Sequence, residues 1–181
     1  MAGNLARSEQ ALLDYCVLRK VQATVLRPTL VWGVGRDLTV SRIARLGAKR
    51  RVFVLPDHAS GLRQPVHVAD LANAAAEVVD RAQCAGKVYD LGGGETLSYE
   101  EMVQRIKSAT PGYTPLIHLP ASLVVRLVLW AQHYGYLKGF TLAAFQRMAQ
   151  DLVFDIAPAQ RDFGYAPRGF LPSAAELGLD Q

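Results

Sequence analysis

The sequence predicts an α/β fold on a parallel sheet with a mostly helical carboxyl-terminal third, and three observations carry that expectation. Short β-prone apolar runs with little polar alternation recur at 23–26, 51–55, 65–68 and 87–91, as strands covered on both faces require. Segments with apolar residues at helical spacing lie between them, and such alternation marks α/β layering. After the turn signal Thr110-Pro111-Gly112 the pattern shifts to helical period over 121–134 and 142–152, and Pro158, Pro167 and Pro172 punctuate the tail. The organisation expected is an α/β part at 1–110 and a helical lobe at 111–181.

Each element has its own reason. Residues 8–20 place Leu12, Leu13, Cys16, Val17 and Lys20 at spacings of three and four, an amphipathic helix with Ser8 as its expected N-cap. The run at 23–26 is expected to end at Pro28, which removes a ladder donor, and Gly33 and Gly35 then let a loop bend closely over a neighbour. A short helix is expected at 39–46, and a strand at 51–55 closed by Pro56 and Asp57. The strand at 65–68 leads into a helix whose first turn holds Asp70, favourable beside the helix dipole. Ala72, Ala75, Ala76 and Val79 are expected to form its close-packing face. Gly92, Gly93 and Gly94 follow the strand at 87–91 as a connector, and Ser98 with Glu101 forms a capping box for a helix at 99–108. Residues 116–119 read as a last strand.

Composition narrows the function classes. Of 181 residues, 50% are hydrophobic and 20% charged, which argues for a core and against disorder. Cys16 and Cys84 are the only cysteines, too few for a disulfide framework, so a reducing cytoplasm is expected. The amino terminus lacks the apolar segment of a signal peptide, and the apolar run at 121–131 is broken by Arg126 and is short of a membrane span. The net charge is +4, with Arg36, Arg42, Arg45, Lys49, Arg50 and Arg51 against Asp37 alone. That cluster suits an anionic partner or a solvated helix face; without stacking aromatics it does not indicate nucleic acid.

The segments LRPTLVWGVGRD, RQPVHVADLANAAAEVV, KVYDLGGGETLSYEEMVQRI and DIAPAQRDFGYAPRGF follow one another in that order. Together they resemble the carboxyl-terminal half of an extended short-chain dehydrogenase/reductase of the NAD-dependent epimerase/dehydratase type. The resemblance implies a partial Rossmann-like sheet with a substrate lobe. It implies NAD or NADP as cofactor of the whole enzyme and a nucleotide-sugar-like small molecule as ligand. The family's catalytic Tyr-x-x-x-Lys would put its Lys near Asn4 or Leu5 and its Tyr before Met1, so no catalytic residue is assigned, and neither turnover nor cofactor binding by this chain alone is expected. A non-catalytic accessory or assembly module of the same fold is the alternative.

By the same resemblance Pro28 and Thr29 match the strand end beside the nicotinamide, Asp37 and Leu38 the loop touching the substrate nucleotide, and Arg63 the guanidinium gripping a diphosphate. Each has a competing reading: Pro28 as a strand terminator, Asp37 as a loop cap, Arg63 as an ion-pair partner of Asp57 or Asp70. His67 reads as a core histidine satisfied by a backbone carbonyl. His58, His118 and His133 lack partners at ligand spacing, so no metal site is expected. Strands missing in front of 23–26 would leave an apolar edge for a second copy, a domain swap or rearranged helices to cover.

Overall fold

A computed structural model provides the structure of the chain and describes residues 2–57, 59–134 and 147–180. His58 and residues 142–146 of the helix expected at 142–152 lie outside the described residues, and the α-helix expected over 147–152 does not form: Leu152 instead bridges Arg63 in parallel. Arg147–Ala149 form a short 3-10 turn.

Helix α1 (Ala2–Leu18) runs into β1 (Val25–Pro28). It begins before Ser8, which therefore lies inside the helix and does not cap it. After Thr29 the chain continues as β2 (Leu30–Trp32), so the strand outlasts the proline expected to end it. The ladder explains this. Val25 N–H donates to the Lys87 carbonyl and Thr29 N–H to that of Leu91, so in this alternation the missing N–H of Pro28 faces away from the partner strand. β1 pairs in parallel with β6 (Val88–Leu91), and β2 pairs in parallel with β5 (Pro65–His67). Among the described residues no strand pairs with the other edge of β1.

Helix α2 (Val40–Arg50) buries Val40, Ala44 and Gly47, and β3 (Phe53–Pro56) pairs in parallel with β8 (Leu116–Leu119). β4 (Leu62–Arg63) runs antiparallel to β7 (Leu97–Ser98). Helix α3 (Val68–Val79) follows β5 directly. It packs through Leu71, Ala74 and Val78, while the expected face of Ala72, Ala75, Ala76 and Val79 is exposed. Its apolar residues occupy more than one face, so periodicity does not select between them. Helix α4 (Tyr99–Ala109) starts at the Ser98–Glu101 capping box, fully formed. Helix α5 (Ala121–His133) and helix α6 (Ala157–Phe163) complete the elements.

Two cores result. Trp32, Phe53, Met102, Ile106, Phe170 and Leu177 build one, and Val66, Tyr89, Leu91, Phe163 and Tyr165 the other. Both include tail residues: Phe170 meets Trp32 of β2 edge-on, and Phe163 meets Tyr89 of β6.

Candidate functional site

Ligands of parallel α/β sheets sit beyond the carboxyl ends of the strands. At that end, Thr29 Oγ1 donates to the Gln64 carbonyl at 2.5 Å and Thr29 N–H to the Leu91 carbonyl at 3.1 Å. Gln64 also accepts from Gly93 N–H at 3.2 Å, and its side-chain Oε1 accepts from Phe154 N–H at 2.8 Å. One glutamine thereby ties β1, β6 and the tail. Nothing local in the sequence marks it, since its partners stand 35 and 90 positions away.

Beyond β2 the loop takes three consecutive left-handed residues, Gly33 (φ 104°), Val34 (φ 57°) and Gly35 (φ 67°). Gly33 passes so close to His67 that a Cβ there would lie 2.6 Å from the imidazole Nε2. Val34, a β-branched residue in that region, is strained. The loop is held from two sides: Arg45 Nη1 donates to the Gly35 carbonyl at 2.6 Å, and Gly35 N–H to the Glu176 carbonyl at 2.7 Å.

Asp37 caps α2, its carboxylate accepting the N–H groups of Thr39 and Ser41 at 3.0 Å and the Ser41 hydroxyl. Leu38 beside it is 81% exposed. Pro28 is exposed and Thr29 half-buried. Arg63 is buried, its Nη1 donating to the carbonyls of Leu62 at 2.7 Å and Gln150 at 2.6 Å, with the guanidinium over the Tyr99 ring. Burial lowers its pKa. The same burial, partly offset by Arg63, pushes the Tyr99 phenol up to about 12. The pairing of Arg63 with Asp70 does not form, because Asp70 accepts from Arg168 N–H and Nε at 3.0 Å and from Nη2 at 2.9 Å.

His67 differs from the expected core histidine in its partners. Its Nδ1 accepts from Ala69 N–H at 3.1 Å, capping α3, and its Nε2 stands 3.5 Å from Glu176 Oε1. No carbonyl is involved. The ring meets Trp32 edge-on at 4.7 Å, and the buried Trp32 Nε1 has no acceptor among the described residues. The glycine connector serves close approach: a Cβ on Gly93 would overlap the Pro65 carbonyl oxygen, and one on Gly94 that of Pro167. No group of three or more His, Cys, Asp or Glu able to hold a metal occurs among the described residues.

The site is thus a strand-end platform (Pro28, Thr29), a strained loop with an exposed apolar tip (Val34, Leu38), and a tail pinned across both. No protein-family model matches the chain. It is similar to a 2-alkyl-3-oxoalkanoate reductase of Stenotrophomonas maltophilia, 29% identical over 81% of this chain and 47% of that protein. It is also similar to subunit 9 of the NADH dehydrogenase 1 alpha subcomplex of Dictyostelium discoideum, 26% identical over 55% of this chain and 27% of that one. Among solved structures, the epimerase Mth375 of Methanothermobacter thermautotrophicus superposes with a TM-score of 0.68 at 15% identity, covering 94% of this chain and 45% of that one. The UDP-glucose 4-epimerase of Thermotoga maritima, solved with UDP-glucose, gives 0.66 at 17%, covering 96% and 49%.

The chain spans about half the length of these epimerases and of the reductase. Its fold is similar to about half of the Rossmann-like fold of these epimerases.

Proposed function

We propose that the chain is the substrate-side portion of an NAD(P)-dependent sugar-nucleotide epimerase, dehydratase or reductase in the cytoplasm. The observation that carries this is that the strand end keeps Pro28 exposed and Thr29 half-buried, and that the loop after β2 keeps Leu38 exposed. In this reading Pro28 and Thr29 border the nicotinamide, and Leu38 touches the substrate nucleotide on a loop that Asp37 holds in place. Arg63 is the group that would meet the diphosphate. Its two carbonyl contacts mean that a ligand must draw the guanidinium outward.

In this reading the chain by itself binds no nicotinamide dinucleotide tightly and transfers no hydride, because no Gly-rich phosphate turn follows a first strand and its one Tyr-x-x-x-Lys, Tyr134 to Lys138, comes after β8 and not ahead of the Arg27-Pro28 strand as the family pattern requires. Titration with NADH followed by fluorescence, and with UDP-glucose by calorimetry, is the test. Weak UDP-glucose binding that Leu38→Ser diminishes, with no micromolar NADH binding, is expected; micromolar NADH binding overturns the reading. A non-catalytic accessory module is the second reading, favoured by the likeness to the NADH dehydrogenase subunit, and binding of neither ligand is its outcome. In both, the unpaired edge of β1 is covered by a second copy or a swapped segment, and light scattering that shows only a monomer removes that part.

A further inference from the structure

Helix α5 presents an apolar stripe that neither reading uses. Leu123, Leu129, Trp130 and Tyr134 are 42%, 53%, 60% and 59% exposed, and Arg126 and His133 are exposed with them. These positions recur at spacings of three and four, so they share one side of the helix. Val124 on the opposite side is buried, which fixes the orientation of the helix on the body. An exposed row of Leu, Trp and Tyr has no reason to face bulk water.

Charge selects what covers it. From Met102 to Gln150 there is no Asp or Glu, while Arg105, Lys107, Arg126, Lys138 and Arg147 fall in that stretch. Arg105 pairs with Glu95. A helix with one outward apolar row, amphipathic aromatics and cationic flanks suits the boundary between headgroups and acyl chains of an anionic bilayer. Thirteen residues give α5 about 20 Å, too little to span, and no described helix is long and apolar enough to cross a membrane. A flat contact is the geometry that remains.

We propose that this chain docks on anionic phospholipid surfaces through the Leu123–Arg126–Leu129–Trp130–Tyr134 face of α5. The helix lies in the plane of the interface, the aromatic rings at headgroup level and Arg126 against phosphate.

The full chain is mixed with vesicles of phosphatidylcholine alone or with about 30% phosphatidylglycerol. Trp130 is the reporter, because the only other tryptophan, Trp32, is 1% exposed and contributes a constant background. With anionic vesicles, its emission shifts to the blue, acrylamide quenching falls, and the protein sediments with lipid. Leu123→Ser with Leu129→Ser lowers partitioning at least tenfold while far-ultraviolet circular dichroism stays unchanged. Arg126→Glu lowers it several-fold on anionic vesicles only. Three results overturn the proposal: no difference between vesicles and buffer; Trp130 already shielded from acrylamide in the free protein; or a blue shift that grows with protein concentration without lipid, which assigns the stripe to a second copy.

Discussion

Replacing Gly93 by alanine separates a backbone role for the glycine connector from a ligand-cradling one. An added Cβ would overlap the Pro65 carbonyl oxygen and lie 2.7 Å from its carbon, where ordinary contact begins near 3.4 Å. Both atoms belong to backbone, so no side chain can swing aside, and β5 must part from the end of β6 by more than an ångström. That movement breaks the Gly93 N–H bond to the Gln64 carbonyl and strains the bond from Thr29 Oγ1 to the same oxygen, at about 1 kcal/mol each. Val66 and Leu91, fully buried on the two strands, must then repack, for about 1–2 kcal/mol more. The total of about 3–4 kcal/mol is a large share of the ~5–15 kcal/mol that holds a domain together.

Urea unfolding followed by circular dichroism reads it directly. With a slope of about 2 kcal/mol/M, the midpoint should fall by roughly 1.5–2 M. Gly112→Ala is the control, since a Cβ there meets open space and only the positive φ (86°) is strained; its cost is about 1 kcal/mol. A Gly93→Ala midpoint close to that of the wild type refutes the packing argument. Retained stability with lost UDP-glucose binding would make the run a ligand cradle.

Asp70→Ala should destabilise by about 3 kcal/mol in the same unfolding assay. It removes an 8% exposed carboxylate that accepts three bonds from Arg168 and leaves the Arg168 N–H to be satisfied elsewhere; a loss under about 1 kcal/mol shows that solvent replaces the carboxylate. Stability should also fall on the alkaline side. Tyr99 keeps its proton up to about 12 in the folded chain, against 10.0 unperturbed, so the unfolded state loses protons first and the contribution, full below pH 10.0, disappears as pH rises toward 12. Tyr99→Phe should flatten this decline in unfolding midpoints between those pH values, and an unchanged slope removes Tyr99 as its cause.

What could be read from the sequence divides by the distance over which it is determined. The capping box at Ser98 and Glu101 is legible because both partners lie within one turn, and the parallel strands because burial on both faces writes itself into each run. Pro28 is legible as a missing donor but not as facing away from β6, since that depends on which neighbour β1 takes. The face of α3 was illegible for a related reason: alanines on several sides of one helix leave the choice to whatever packs nearby. The loop showed its glycines, but the strain at Val34 follows from Glu176 and Arg45 holding Gly35, contacts that no local pattern encodes. His67 was placed correctly as buried, and its partners were missed because one of them, Glu176, sits on a tail more than 100 positions away.

The same separation explains the candidate site. Pro28 and Thr29 stand at the end of a strand, where local chemistry sets exposure, and the structure leaves Pro28 exposed and Thr29 half-buried. Arg63 and Asp37 carry charges, and charge in a fold is claimed by the nearest polar partner; here that is the Leu62 and Gln150 carbonyls for one and the amino end of α2 for the other. A residue type suited to binding phosphate is equally suited to tying down a loop, and only the three-dimensional neighbours decide. In the role proposed for Arg63, ligand affinity would depend on how readily its guanidinium leaves these carbonyls. Since those carbonyls belong to β4 and to the segment beside Asp151, any substitution that loosens that segment should alter binding before it alters the strand-end platform.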